Sequence, residues 1–239
     1  MSLFFQELDY QETPIGPISL RRRREHRLDL DVYEIKLGDE FLMSSLFTAS
    51  EVALADLGLK AIPGQPVDVA VAGLGLGYTA KAVLDHDAVA SLVVVELLEP
   101  VIGWHRAGLL PMGQALASDP RCRLVAGDFF ALAAGANGLD PEAPSRLFDA
   151  VLVDIDHAPD DLLDARSTGF YTPDGLAAVA RHVRPGGIFG LWSDAVVDPA
   201  FVARLSGVFA EAWSEPVTFH NPLLDSSYTQ TVYLARKAA

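Results

Sequence analysis

Cysteine is almost absent: among 239 residues only Cys122 carries a thiol. An intramolecular disulfide is therefore excluded, and a cytoplasmic, reducing location is expected. Cys122 lies in "RCRLV" with no His or Asp motif beside it, and reads as a small core residue of a strand. Long apolar runs are missing as well. None reaches the roughly 18 residues that span a bilayer, and "MSLFFQELDYQE" lacks the basic start and apolar centre of a secretory leader. No membrane partner is expected. Positive charge is scarce: 18 Lys and Arg against 32 Asp and Glu leave a net charge of −14. Such a surface repels nucleic acid and is compatible with cationic small molecules. The basic exception is Arg21 to Arg24. It reads either as an anion-binding patch or as charge on a hairpin tip or edge strand, where it discourages edge pairing.

What is present is rhythm. Residues 10 to 47 carry strand signals broken by Pro and Gly punctuation, as in "TPIGPISL" and "LDLDVYEIKLGDEFLM", and predict a small antiparallel β unit. "TASEVALADLGL" predicts a helix with Thr48 or Ser50 as N-cap and Gly58 near its stop. From Pro66 onward, short apolar strands alternate with helices: "VDVAVAG", a helix near 78–85, "SLVVVE", a helix over 99–117, "RCRLVAG", and a helix from Phe129. "LFDAVLVDID", "TPDGLAAVARHV", "GGIFGLWS" and the helix "DPAFVARLSGVFAEA" continue it, and "PVTFH" with "TQTVYLAR" closes the chain as an antiparallel pair. This is the pattern of an α/β, Rossmann-like, mostly parallel sheet covered on both faces. The expected division is a β-hairpin unit plus helix over 1–62 and a nucleoside-binding catalytic domain over 63–239.

The chemistry concentrates at strand ends. "VAVAGLGLGYTAKAVL" is a strand, a turn punctured by Gly73, Gly75 and Gly77, and a helix N-terminus, a place where backbone N–H groups face a ligand. The spacing departs from the dinucleotide G-x-G-x-x-G run, and a Walker G-K-[ST] is missing. Glu96 ends the next strand, where a carboxylate can accept both ribose hydroxyls. Asp128 in "VAGDFF" is placed to accept from an adenine amine. "VDIDH" brings Asp154, Asp156 and His157 to the end of the following strand. Ligands of open α/β sheets bind at such carboxyl ends, so these groups should border one cleft. No metal is expected, because "DIDH" has no second His/Asp cluster at ligand spacing. "HNPLLD" (His220 to Asp225) reads as a loop closing over the cleft. It follows the sixth strand, not the fourth, which counts against an amino methyltransferase motif.

From about Tyr10 to Arg236 the chain resembles the spermidine synthases, the polyamine aminopropyltransferases, on the class I S-adenosylmethionine-dependent methyltransferase fold. "VVVELLEPVIGW" resembles the family's V-E-[LI]-D-P-x-V-[IV], "RCRLVAGDFF" its R-[VL]-x-[LV]-x-x-G-D, and "FDAVLVDIDHAP" its Y-D-x-I-[IL]-x-D-[SA]-x-D-P. "FYTPDGLAAVARHVRPGGIFGLWS" resembles its F-Y to L-x-P-G-G-[IV] segment. The resemblance implies that Glu96 binds ribose hydroxyls and Asp128 the adenine amine, with Leu97 and Phe129 beside them. It implies that the three glycines let the backbone pass close to the nucleoside. Asp154 becomes the catalytic carboxylate, with Asp156 and His157 as its catalytic neighbours, and Tyr78 and Tyr171 (with Phe170) line the substrate pocket. The implied co-substrate is decarboxylated S-adenosylmethionine or S-adenosylmethionine, the partner is a small amine, and a homodimer is expected.

The chain departs from the family where the turn's acid should be: Leu76 stands in that slot of G-G-G-[DE]-G. Leu98 replaces the acid two residues after Glu96, and D-x-x-D becomes Asp154-x-Asp156 followed by His157. The segments that would hold a diamine survive only as "FLMSSLFTASEVAL". Aminopropyl transfer to an amine is therefore the first expectation. Methyl transfer to a small molecule, which Leu76 favours, and a non-catalytic nucleoside-binding protein are the alternatives.

Overall fold

The structure, a computed structural model, describes residues 5–64 and 66–239. The first four residues of the N-terminal unit lie outside them. Four strands open the chain, β1 (Phe5–Thr13), β2 (Gly16–Glu25), β3 (Leu30–Leu37) and β4 (Glu40–Ser44), paired antiparallel in sequence order. One face is buried through Ile18, Leu20 and Ile35. The arginine run does not sit on an edge or at a hairpin tip. It occupies the second half of β2, which is hydrogen-bonded to β1 on one side and β3 on the other. Acids from the neighbouring strands and the β2–β3 turn answer it: Arg21 faces Glu7 at 3.6 Å, Arg23 bonds Glu34 at 2.6 Å, and Arg24 pairs with Asp29 and Asp31. Cross-strand pairing of opposite charge explains the run without an anion.

The second sheet has seven strands in the order β10-β11-β9-β8-β5-β6-β7. They are β5 (Val67–Ala72), β6 (Val89–Glu96), β7 (Cys122–Ala126), β8 (Phe148–Val153), β9 (Val183–Ser193), β10 (Glu211–Asn221) and β11 (Ser226–Arg236). β5 to β9 run parallel, β11 is antiparallel to β9, and β10 is antiparallel to β11. Alternation along each strand divides two cores. Val67, Val69 and Val71 pack with Leu54 and Val83 on one face, and Ala70, Val93, Val151 and Val153 pack with Phe129, Leu176 and Phe201 on the other. Ile18, Leu20 and Ile35 of the first sheet belong to the former core, so the small sheet is seated on the large one.

The helices are α1 (Ala49–Lys60), α2 (Tyr78–Leu84), α3 (Glu99–Arg106), α4 (Gly113–Ser118), α5 (Phe129–Ala134), α6 (Pro173–Ala180) and α7 (Pro199–Ser206), with a 3-10 turn at Ala165–Tyr171. Two expectations need correction. The helix over 99–117 is two helices, divided where Gly108 turns at φ 70° ahead of Pro111. The last helix stops at Ser206, because Glu211 and Ala212 pair with Arg236 and Ala235 in the sheet. Gly58 lies near the end of α1, which stops at Lys60, and a Cβ there would meet the Leu152 side chain at 2.8 Å, so the glycine sets how closely α1 approaches β8. Thr48 precedes α1 without a side-chain cap.

Candidate active site

Strand order reverses direction from β5, with β6 and β7 on one side and β8 and β9 on the other. A cleft opens at such a switch point, outside the strands' carboxyl ends. The cavity found there measures about 640 Å³ and reaches from the glycine turn to the inner face of the N-terminal sheet. At its centre Gly73 has φ 89°, a conformation open to glycine, and a Cβ on it would collide with the Asp154 carbonyl. The turn is thereby laid directly against the end of β8. Gly75 and Gly77 also have positive φ.

Glu96 is buried and holds this turn in place. One carboxylate oxygen accepts from Leu74 N–H at 2.9 Å and the other from Leu98 N–H at 2.8 Å. Burial raises its pKa, and the backbone donors oppose that shift. Beneath the turn, buried His105 donates from Nε2 to the Gly75 carbonyl at 2.9 Å, and burial lowers its pKa. Leu97, exposed beside Glu96, lines the cavity. Asp128 caps α5, its Oδ1 accepting from Phe130 and Ala131 N–H. Phe129, Phe130 and Phe170 form a ring cluster on that side, with Phe130 and Phe170 centroids 5.0 Å apart.

Asp154 follows β8 at the cavity wall. Its N–H donates to the Ala72 carbonyl at 2.8 Å, and its Oδ2 accepts from the Thr79 hydroxyl at 2.5 Å. Desolvation pushes its pKa up to about 6, against the lowering effect of Thr79. A second carboxylate that sequence reasoning missed shares the cavity. Glu51, buried in the first turn of α1, is pushed up to about 7 by desolvation and then by the Asp154 charge. Ser50 Oγ accepts from Trp192 Nε1 at 2.8 Å and lies 2.5 Å from Gln230 Oε1 and 2.8 Å from Glu51 Oε2. The Gln230 amide is oriented by its Nε2 donating to Asp194 at 2.5 Å. Ser50 has a single proton to share between these oxygens, and its bond to Glu51 opposes the upward shift.

Asp156 and His157 sit close in sequence but face different tasks. Asp156 is buried and accepts from the Tyr171 hydroxyl at 2.7 Å, Leu163 N–H at 2.8 Å and Ser167 at 3.4 Å, tying down the segment that follows β8. Tyr171 is itself buried by this contact and lies outside the cavity wall, whereas half-buried Tyr78 is part of it. His157 lines the cavity with Nε2 3.2 Å from Glu40 of β4. The "HNPLLD" segment makes the β10–β11 turn and contributes nothing to the wall. Burial pushes the Cys122 thiol up to about 12, as in a packed thiol. Among the described residues no cluster of three or more His, Cys, Asp or Glu could hold a metal, and no helix is long and apolar enough to cross a membrane.

The strand order, the reversed β11 and the glycine turn define an α/β protein of the class I methyltransferase-like fold. A family model described as the spermine/spermidine synthase domain matches residues 48–197, and the chain belongs to that family. It is similar to polyamine aminopropyltransferase 2 of Pseudomonas aeruginosa, 29% identical over 161 residues that cover 64% of this chain and 43% of that protein. It is also 29% identical over 126 residues to the polyamine aminopropyltransferase of Aeropyrum pernix, covering 53% of this chain and 37% of the other. The matches thus span less than half the length of these curated relatives. In fold it resembles a spermidine synthase from Thermotoga maritima (TM-score 0.70, 18% identity, 98% of this chain and 73% of the other). A spermidine synthase in complex with the transition-state analogue AdoDATO gives a TM-score of 0.72 at 18% identity, with 98% and 74% covered.

Proposed function

We propose that the protein transfers an alkyl group from a sulfonium nucleoside to a small amine, with decarboxylated S-adenosylmethionine as donor and aminopropyl as the group moved. The observation carrying this reading is one cavity bordered by Gly73, Leu74 and Gly75 of the glycine turn, Glu96, Asp128 and Asp154, in a chain of the spermine/spermidine synthase family. Asp128 and the ring cluster flank the adenine, Glu96 takes the ribose hydroxyls, and the turn leaves the sulfonium beside Asp154. In this reading the N-terminal unit over 1–62 supplies the acceptor wall and 63–239 the nucleoside floor.

The reaction is an in-line displacement. The amine lone pair forms the N–C bond, the C–S bond breaks, and the electron pair leaves on sulfur as a neutral thioether. An alkyl amine, with a pKa of roughly 10, arrives as an ammonium and must lose a proton before attack. Asp154 draws the ammonium in, orients it and accepts that proton, while the closed cavity supplies the orientation that accounts for much of such a rate. A second reading, methyl transfer from S-adenosylmethionine to the same amine, is favoured by Leu76. Its side chain is 1% exposed and belongs to the core, so the turn lacks the acid that would distinguish the decarboxylated donor.

Calorimetry with 5′-methylthioadenosine, S-adenosylhomocysteine and NAD tests the nucleoside site. The thionucleosides should bind and NAD should not, and Glu96→Ala should weaken the former by about 1–3 kcal/mol. Binding of NAD alone would overturn the reading. Mass spectrometry of products formed from each sulfonium donor with a panel of amines separates aminopropyl from methyl transfer.

A further inference from the structure

The acceptor end of the cavity is built unlike its nucleoside end. Ile15, Ile35, Leu37, Leu42 and Met43 come from the N-terminal sheet, and Trp192 closes the opposite side. This wall touches the glycine turn itself: the Met43 sulfur accepts from Leu76 N–H at 3.0 Å. Apolar surface therefore begins where the acceptor's body must lie once its nitrogen faces the reacting carbon.

Charge in this half is sparse. Asp154 and Glu51 both line the cavity, and the Thr79 hydroxyl that donates to Asp154 Oδ2 lies 3.4 Å from the Glu51 carbonyl. The other acids of the wall are occupied or elsewhere. Asp156 is taken by Tyr171, Leu163 and Ser167. Asp128 caps α5, Asp164 caps the 3-10 turn, and Asp174 lies in the first turn of α6, three elements that pack on one another. The nearest other polar group on the acceptor side, His157, is directed to Glu40.

We infer that the acceptor is a monoamine with an apolar body: its single ammonium meets the Asp154–Glu51 pair, and its hydrocarbon lies along Ile35, Leu37, Leu42 and Met43. A second ammonium at the far end of the same molecule would be desolvated against aliphatic side chains without a counter-charge, which is costly. An apolar terminus there gains from burial with each methylene. This inference rests on the transferase reading above and narrows it to a substrate class.

The experiment is a calorimetric titration of the full chain, saturated with 5′-methylthioadenosine, at pH 7. Three six-carbon probes are compared: n-hexylamine, 1,6-diaminohexane and hexan-1-ol. Hexylamine should bind at least about 10-fold more tightly than either of the others. A diamine that binds as well as hexylamine or better overturns the apolar subsite, and an alcohol that matches the amine overturns the single-charge end. If the nucleoside binds and none of the probes does, the acceptor assignment is wrong and the nucleoside site stands. If 5′-methylthioadenosine itself does not bind, the transferase reading falls and this inference falls with it.

Discussion

Glu51→Gln should stabilise the protein, and more so as pH rises. Glutamine has the shape of a protonated glutamate, and its side-chain oxygen can accept from the Ser50 hydroxyl as Glu51 does at 2.8 Å. The wild-type group pays for its burial only when it ionises. Its pKa is raised from 4.5 to about 7 by desolvation and by the nearby Asp154 charge. The folded state therefore holds a proton that the unfolded state has released between those values. Stability must fall as pH climbs from about 4.5 through about 7, and the loss is complete above the folded value. The full interval corresponds to roughly 3 kcal/mol. Because Asp154 titrates in the same window and the two share the effect, removing Glu51 should recover about 1–3 kcal/mol at pH 8.

Urea denaturation at pH 5 and pH 8 reads this directly. At pH 5 both proteins carry a neutral group and should differ by less than about 0.5 kcal/mol. At pH 8 the glutamine variant should be ahead, with a melting temperature higher by about 2–10 °C for a chain of this size. A variant no more stable than wild type at pH 8, or one that keeps the wild-type decline with pH, would refute the raised pKa of Glu51.

Two further substitutions separate chemistry from scaffolding. Asp154→Asn keeps the Thr79 contact and removes the charge, so turnover of the best donor–amine pair should fall roughly 10²–10⁴-fold with little change in thionucleoside affinity; unchanged turnover removes Asp154 from the mechanism. Asp156→Ala leaves the buried Tyr171 hydroxyl and Leu163 N–H without acceptors and should cost about 2–4 kcal/mol in denaturation, whereas a variant of wild-type stability would show that Asp156 is not the anchor of that segment.

Much of this was readable from sequence because parallel strands are punctuated at their carboxyl ends. Apolar runs stopping at Gly73, Glu96, Asp128 and Asp154 mark four strand ends, and the alternation of elements brings those ends to one side of a sheet. Glu51 was hidden for a physical reason. An acid in the first turn of a helix is ordinarily explained by the helix dipole, and nothing local shows that α1 presents it to a cavity formed by residues far along the chain. Arg21 to Arg24 misled in the opposite sense. Charge on a strand suggests an edge, but here the acids that neutralise it stand on β1 and β3 and in the β2–β3 turn, so the strand can be interior. The spacing of Asp156 and His157 after Asp154 predicted a catalytic group of three. Burial and the Tyr171 hydroxyl give Asp156 a different environment, which depends on a segment seven to fifteen residues downstream.

The departures from the family pattern act together. Leu76 and Leu98 stand where the family carries acids, and both are buried in the core that holds Ile18, Leu20 and Ile35 of the N-terminal sheet. An acid at position 76 would be buried at great cost beneath that sheet unless a ligand's ammonium met it. Leucine needs no such partner. It allows the sheet to close onto the turn, with the Met43 sulfur against Leu76 N–H and Met43 itself on the cavity wall. On the monoamine reading, the packing of β4 against the glycine turn, where the Met43 sulfur accepts from Leu76 N–H, builds the wall that disfavours a second ammonium. Restoring an acid at position 76 alone should accordingly strain that contact before it could bring back a charged donor or acceptor.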